Sequence, residues 1–447
     1  MPAVVERSQA KRARCPRSQA RRLLLPSSSG RHRIASLMKT ISVRPGYIPY
    51  TLSAAILITA ASALAREHQT AWALVCLALL APVIIAAAFD RVELEGEIIR
   101  HRGPLAFLLT HLFRMRRTLA ISDIETITTE TLRLSIGRGD ARLSYHTRII
   151  GPQVEIVVRS HRAAYVPFIK ALFRGVSSQK LDPRSLDLFE YLETGADLKR
   201  ASVTLSDIGR MPVPLLRRLG NSLRLAGRLA QASSYFLVAY EKEPRNPGLL
   251  YEMSRFYYSS AAREDARLVQ RSNACLRLAS RLASSEPALL ERIGEAFFER
   301  LDNKRATDCF RRALDLDPAR FRANVGLAEI ALRDGKLAHV AHFYNAATAT
   351  GDAALVRLAD REAHYYERLR SDDDFLEAEL MRIRTSNQIR WARRLSALTF
   401  FCAWLTAGII GRFYSLVEDF GWAMMAASGL LWCASGLAMR YFRRRVA

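Results

Sequence analysis

The sequence lacks the short motifs that mark most catalytic sites. It contains no phosphate-binding loop, no G-x-G-x-x-G dinucleotide motif, no G-x-S-x-G nucleophile turn and no H-E-x-x-H zinc motif. Its six cysteines are scattered and form no C-x-x-C pair, which argues against a zinc site and a disulfide framework and fits a reducing compartment. These absences predict a protein that is not an enzyme and that needs no cofactor and no metal ion.

Acidic residues are scarce, since 67 Lys and Arg outnumber 43 Asp and Glu and leave a formal net charge of +24. Such an excess favours an anionic neighbour, either lipid headgroups, nucleic acid or an acidic protein. Nucleic acid is not expected, because the basic residues cluster beside apolar segments. Residues 1–46 are strongly basic without hydrophobic periodicity and are predicted to be a disordered tail. Met38 offers a second translation start, so residues 1–37 are either part of this tail or not translated.

Charged residues are absent from four apolar runs, which come in two closely spaced pairs: 48–65, 70–89, 395–411 and 422–439. At about 1.5 Å per residue, each run can cross a hydrocarbon core about 30 Å thick. Residues 47–89 and 395–440 are therefore predicted to be two transmembrane hairpins. Basic flanks, including the tail 441–447, place both termini and the middle region in the cytoplasm, and a bacterial inner (plasma) membrane is the expected location. Signal-peptide cleavage after Ala65, or burial of the first two runs in a soluble core, are the alternatives.

After the first hairpin, the sequence alternates between polar and apolar residues, as β-strands do. The alternating segments are 92–95, 98–102, 118–121, 124–127, 141–145 and 154–158, and residues 165–173 have helical character. Several short strands that follow a membrane hairpin and end in a helix resemble the bacterial pleckstrin-homology-like domains. The resemblance covers about residues 90–195 and implies a small strand-rich domain with a C-terminal helix.

Residues 104–117 combine apolar side chains with three basic residues, Arg114, Arg116 and Arg117. This combination is typical of a segment at a lipid interface, where apolar side chains enter the acyl region and arginines contact anionic headgroups. The same apolar residues could instead pack inside the small domain, and the sequence leaves both interpretations open.

From Val213 onward the sequence repeats with a period of about 34 residues. Units begin at Val213, Pro247, Pro287 and Phe321, and the third carries Ile293-Gly294, Phe297, Ala306, Phe310, Ala313 and Pro318 at fixed spacings. This pattern resembles the tetratricopeptide repeat (TPR) family, which implies an all-α solenoid whose small residues let helices approach closely and whose aromatic residues fill the holes. Residues 196–370 are predicted to form repeats with a capping helix, and 371–394 a helical linker to the second hairpin.

The resemblance implies that a protein or peptide partner binds in a groove lined by the first helix of each unit. Aromatic and charged residues at the matching positions suit the capture of a peptide or helix. These residues are Arg217, Asn221, Arg224, Tyr251, Arg255, Tyr258, Glu291, Glu295, Phe298 and Glu329. An ordinary solvated face is the alternative for any one of them.

Some TPR proteins bind a C-terminal carboxylate through a two-carboxylate clamp. Arg217, Asn221 and Arg292 match clamp positions, but Glu252 stands where an Asn is expected and would repel the ligand, so clamp-type binding is not predicted. The sequence as a whole predicts a membrane-anchored scaffold or assembly factor. A lipid-sensing module and an accessory subunit of a membrane enzyme complex are the alternatives.

Overall fold

The computed structural model describes residues 40–44, 48–66, 69–104, 107, 116–136, 140–152, 154–160, 164–200, 208–261, 265–409 and 414–442. All described residues belong to one compact unit, Thr40–Ala447. Within the described residues the fold is mostly helical, with fifteen α-helices and two small antiparallel sheets. A largely helical chain with a small strand-rich region is therefore confirmed.

The two sheets contain four and three strands in the described residues. The first has the order β1 (Ile41–Val43), β2 (Arg91–Glu95), β3 (Ile98–Arg102) and β4 (Thr118–Ala120). The second has the order β5 (Thr126–Ile136), β6 (Asp140–Gly151) and β7 (Val154–Arg159). All neighbouring strands are antiparallel.

Strand β1 lies inside the segment 1–46 that the sequence predicts to be a disordered tail, so that prediction extends too far. Ile41 pairs with Leu94 and Val43 with Val92, and Val43 is buried. Three residues are too short a stretch to show strand alternation, and their partner strand comes only after the first helical hairpin. Residues 1–39 lie outside the described residues.

That hairpin consists of α1 (Ile48–Arg66) and α2 (Thr70–Phe89), which pack along each other. Helix α2 is the one helix in the described part of the chain that is long and apolar enough to cross a bilayer. Many of its large apolar side chains are exposed, including Trp72, Leu74 and Ile84.

The sheets and α3 (Tyr165–Arg174) enclose one apolar core, in which Ile99, Ile149, Phe168 and Leu172 are fully buried. Alternate strand residues face this core because successive side chains of a strand point to opposite sides. Helix α4 (Pro183–Arg200) follows and adds Leu188 to the same core.

Eight further helices form four successive pairs: α5 (Val213–Leu225) with α6 (Leu229–Lys242), α7 (Pro247–Ser260) with α8 (Ala266–Leu282), α9 (Pro287–Glu299) with α10 (Asn303–Leu316), and α11 (Phe321–Arg333) with α12 (Leu337–Ala347). Each pair starts at the residue where a sequence repeat starts. Helix α13 (Ala353–Ser371) packs on the last pair.

Helices α14 (Asp373–Ile409) and α15 (Ser415–Phe442) pack along each other. Asp372 accepts a hydrogen bond from the backbone N–H of Phe375 and caps α14, which continues unbroken through Trp391. Within the described residues, the apolar part of α14 runs from Leu395 to Ile409. Because α2 is the one helix of the described residues that is long and apolar enough to cross a bilayer, the prediction of two membrane hairpins is not confirmed.

Candidate functional site

Helices α5, α7 and α9 direct one common side toward α4. Predicted groove residues recur at intervals of three and four along each helix, so they share one side of it. We call this surface the first-helix face. The part of this face that the rest of the chain covers is formed by Asn221 and Arg224 of α5, Tyr251, Glu252 and Arg255 of α7, and Glu291, Arg292 and Glu295 of α9.

Three arginines of this face, one from each of three successive helix pairs, converge on the carboxylate of Asp187 in α4. Its oxygens lie 3.2 Å from Nη2 of Arg224, 2.6 Å from Nη2 of Arg255 and 3.3 Å from Nη2 of Arg292. Asp187 is 2 % exposed. Burial alone would raise the pKa of Asp187, but the attraction of Arg255, Arg224 and Arg292 lowers it below its usual value. Asp187 is therefore an ionised carboxylate held by several guanidinium groups.

One helical turn later, Glu190 of α4 points to the same face. Its carboxylate accepts hydrogen bonds from Nδ2 of Asn221 at 3.3 Å and from Nη1 of Arg292 at 3.0 Å. Asn221 and Arg292 are two of the clamp-matching positions, and here they bind a side-chain carboxylate within the same chain. Glu252 is buried beside them, with Oε1 3.7 Å from Nη2 of Arg292, and does not prevent this contact.

Tyr251 holds two of these arginines in place. The centre of its buried ring lies 5.6 Å from the guanidinium carbon of Arg255 and 5.0 Å from that of Arg292. Arg255 also donates a hydrogen bond to the Tyr251 hydroxyl at 2.9 Å. Because an aromatic face attracts a cation, the ring fixes both guanidinium groups where they meet Asp187.

Farther along the face, two glutamates of α9 pair with arginines at the start of α11. Glu291 lies 3.4 Å from Nε of both Arg320 and Arg322, and Glu295 accepts from Nε of Arg322 at 2.8 Å. Gln179, which precedes α4, donates to Glu291 at 3.3 Å and accepts from the backbone N–H of Arg322 at 3.2 Å. This half of the face is therefore also occupied from within the chain.

The strand-rich region reaches the end of the repeats as well. Lys180, which is 4 % exposed, lies 2.9 Å from a carboxylate oxygen of Asp352 at the start of α13. The buried carboxylate of Glu125 accepts two hydrogen bonds from Arg361 of α13, at 2.9 and 3.1 Å. Contacts between charged or polar groups thus run from the first helix pair to α13.

Other predicted groove residues lie outside this contact. Arg217 is half-buried beside Gly248, and Phe298 is partly buried with the guanidinium of Arg333 3.7 Å from its ring centre. Tyr258 and Glu329 are exposed.

The predicted lipid-proximal residues fall in and beside the segment 108–115. Arg116 is exposed, and the guanidinium of Arg117 lies 5.0 Å from the ring centre of Phe107, whose side chain is 56 % exposed. Arg114 lies outside the described residues.

Reasoning from the sequence missed Asp187, Glu190, Gln179 and Lys180, because they precede the repeats. The sequence did contain a signal for these acidic residues, because a predicted groove rich in arginine is expected to contact carboxylates. Asp187 and Glu190 are acids three residues apart in a segment with helical potential.

No protein-family model and no curated protein matches this chain. Among the described residues, no group of three or more His, Cys, Asp or Glu side chains is arranged to hold a metal ion. The first-helix face contacts charged and polar side chains of the same chain, at Asp187, Glu190 and Gln179.

Proposed function

We propose that this protein is a membrane-anchored scaffold whose helical repeats bind a helical segment of a protein partner on the first-helix face. The observation that carries the proposal is the way in which three successive helix pairs hold α4. Arginines from α5, α7 and α9 meet a single carboxylate, and a buried tyrosine positions two of them. A surface that holds one helix with this many convergent groups is suited to holding another helix of the same chemistry.

The resemblance of the repeats to the TPR family supports a role in protein binding. Helix pairs begin where the repeats begin, and α13 packs on the last pair as a cap would. A stack of helix pairs leaves the first helices side by side, so one ligand can contact several units at once.

The apolar surfaces of the terminal helices support membrane anchoring. Large apolar side chains are exposed along α2, and α14 and α15 expose Leu398, Phe401, Phe420 and Leu430. Contiguous exposed apolar surface of this kind needs cover from lipid or protein. Anchoring by two hairpins, with the strand-rich region and repeats in the cytoplasm of a bacterial cell, is part of this proposal.

Photocrosslinking in intact membranes tests the binding surface. A photoreactive amino acid at Tyr258 or Glu329, both exposed on first helices, is expected to capture the same protein. The matched control positions are Tyr240 and Leu278, which are exposed on the second helices α6 and α8. A partner captured from all four positions alike, or from none, would contradict binding on the first-helix face.

Resistance to alkaline carbonate extraction tests the anchor. Leu77→Arg with Ile84→Arg places two charges on exposed positions of α2 and should release a larger share of the chain, because an arginine at the bilayer centre costs about 3 kcal/mol. Leu332→Arg, an exposed position in the repeats, should change nothing. Equal extraction of both variants would argue against α2 as an anchor.

A second candidate, contact of the strand-rich region with anionic lipid, is favoured by the exposed Phe107 ring next to Arg117. The four-stranded and three-stranded sheets closed by α3 also support the resemblance to pleckstrin-homology-like domains. Phe107→Trp in the reconstituted chain should show a blue-shifted emission in anionic but not in neutral bilayers. Introducing Arg116→Glu and Arg117→Glu into the Phe107→Trp chain should abolish this difference. An emission shift that is the same in both bilayers would contradict contact with anionic lipid.

A further inference from the structure

Two sides of helix α4 contact different parts of the chain. On one side, Leu188 and Leu192 are buried in the core of the strand-rich region, and Phe189 packs edge-on against Phe173 of α3. On the other side, Asp187 and Glu190 face the repeats. The strand-rich region therefore carries α4 as part of its own body and presents the acidic side of that helix to the first-helix face.

Ion pairs and hydrogen bonds join the two parts. The buried apolar cluster of the strand-rich region and those of the repeats share no residue among the described ones. Polar interfaces between parts of one chain resemble transient protein–protein interfaces, for which relative motion is the ordinary expectation. Buried ion pairs add little net stability, because the cost of removing the charges from water offsets most of their attraction.

Charge complementarity defines what else could occupy the same surface. Arg224, Arg255 and Arg292 would all lose their contact with Asp187 if α4 moved away. Glu252 would repel a further acidic side chain of a helix bound beside it. Asn221 is uncharged and donates a hydrogen bond to Glu190, the second carboxylate of α4 on this face. The surface thus selects a helix with two carboxylates one turn apart rather than a uniformly acidic one.

We propose that α4 occupies the first-helix face as an internal substitute for the partner, and that the partner segment is a helix carrying two carboxylates three residues apart. The partner binds when the strand-rich region and α4 move away together. This inference rests on the proposed function, because it names the partner chemistry and the regulation of the same surface.

The test uses the full chain in detergent micelles and a fluorescent peptide of residues 183–200 as the probe. Asp187→Asn with Glu190→Gln weakens the hold on α4. The matched control is Glu193→Gln, also on α4, because Glu193 pairs with Lys170 and Arg174 inside the strand-rich region. Genetically encoded spin labels at the exposed positions Val166 and Leu278 report the separation of the two parts.

We expect a single label distance in the wild-type chain and in the control, and a longer, broader distribution in the double variant. The peptide should bind the double variant at least tenfold more tightly than it binds the wild-type chain. A peptide with Asp187→Asn and Glu190→Gln should bind the double variant at least tenfold more weakly, and added salt should reduce the difference.

Two results would overturn the inference. Unchanged label distances in a folded double variant would show that α4 is a permanent part of the repeats. Separated labels with equal binding of both peptides, or with no binding, would show that the surface does not select carboxylates. If the double variant does not fold, Arg361→Ala weakens the same contact at α13 and allows both measurements. No natural partner is needed, so failure of this test is distinct from failure to crosslink a partner in membranes.

Discussion

The ring of Phe310 fills the space that a side chain on Gly294 would need. A Cβ atom on Gly294 would lie 2.7 Å from Cε1 of Phe310, which is closer than real Cβ contacts. Gly326 faces the same ring from α11, so the fully buried Phe310 joins three helices of two successive pairs.

Gly294→Ala should therefore destabilise the repeats by about 1–3 kcal/mol, because overpacking a filled core costs more than the helix propensity of alanine returns. Thermal unfolding in detergent micelles, followed by circular dichroism, measures this change. Gly351→Ala is the control, since no atom lies within 4 Å of a Cβ atom at that position. Equal stability of the two variants would contradict the close contact.

Leu301 follows α9 with a φ of 62°, in the left-handed region that favours glycine. Gly227 and Gly335 hold the corresponding turns of the first and fourth pairs, with φ of 78° and 73°. Leu301→Gly should raise stability by about 1 kcal/mol, because the side chain is 76 % exposed and little packing is lost. Leu301→Ala keeps the strain and should leave the unfolding temperature close to that of the wild type. If Leu301→Ala also raised the stability, the effect of Leu301→Gly would not be due to relief of backbone strain.

Glu252 predicts a pH dependence of stability. Burial raises the pKa of its carboxyl group above the usual value, against the attraction of Arg292. A carboxyl group whose pKa is higher in the folded chain costs stability once it ionises, so stability falls as pH rises from the unfolded pKa through the folded one. Glu252→Gln should thus be more stable than the wild type by about 1 kcal/mol or more at about pH 8.

The same comparison at about pH 4 should show little difference, because Glu252 is then largely protonated in the wild type. Glu299→Gln, at an exposed position of α9, is the control and should match the wild type at both pH values. A Glu252→Gln variant that is less stable at high pH would mean that the ion pair with Arg292 outweighs the cost of burial.

Two ion pairs between the strand-rich region and α13 differ in burial and should differ in energy. Arg361→Ala leaves the Glu125 carboxylate buried without this partner and should destabilise the chain by about 3 kcal/mol. Arg357→Ala removes a pair with Asp123 in which both side chains are about half exposed, so the change should stay below about 1 kcal/mol. Unfolding temperatures of the two variants provide the comparison. An equal decrease in both would mean that burial of Glu125 does not determine the energy of its ion pair.

The repeat pattern of the sequence identified where the first helix of each pair begins. Val213, Pro247, Pro287 and Phe321 each begin both a repeat and a helix. The first three of these helices carry proline in the first turn, and all four have regularly spaced apolar residues, which are local signals. Local signals also marked most strands. The structural reason is the same in both cases, since each pattern reports how a short segment buries one side.

The occupation of the first-helix face could not be predicted in this way. Asp187 and Arg292 are 105 residues apart, and the contact between them depends on how two parts of the chain that are distant in sequence pack together. Periodicity identifies which side of a helix is polar, but it does not identify which distant polar surface will cover it. The predicted role of Tyr251 as a groove contact stays a prediction, and the structure adds that its ring supports two arginines.

The pairing of β1 with β2 has a consequence for biosynthesis. The ribosome makes β1 before the apolar hairpin and β2 after it, so the first sheet cannot close until both α1 and α2 have been made. Closure also requires the outer ends of the hairpin to lie next to each other, where Tyr50 of α1 donates a hydrogen bond to Asp90 after α2. A chain that places only one of the two helices correctly leaves the edge of β2 unpaired, and an open strand edge is prone to aggregation and misassembly. Pairing of β1 with β2 therefore depends on α1 and α2 both adopting the hairpin arrangement.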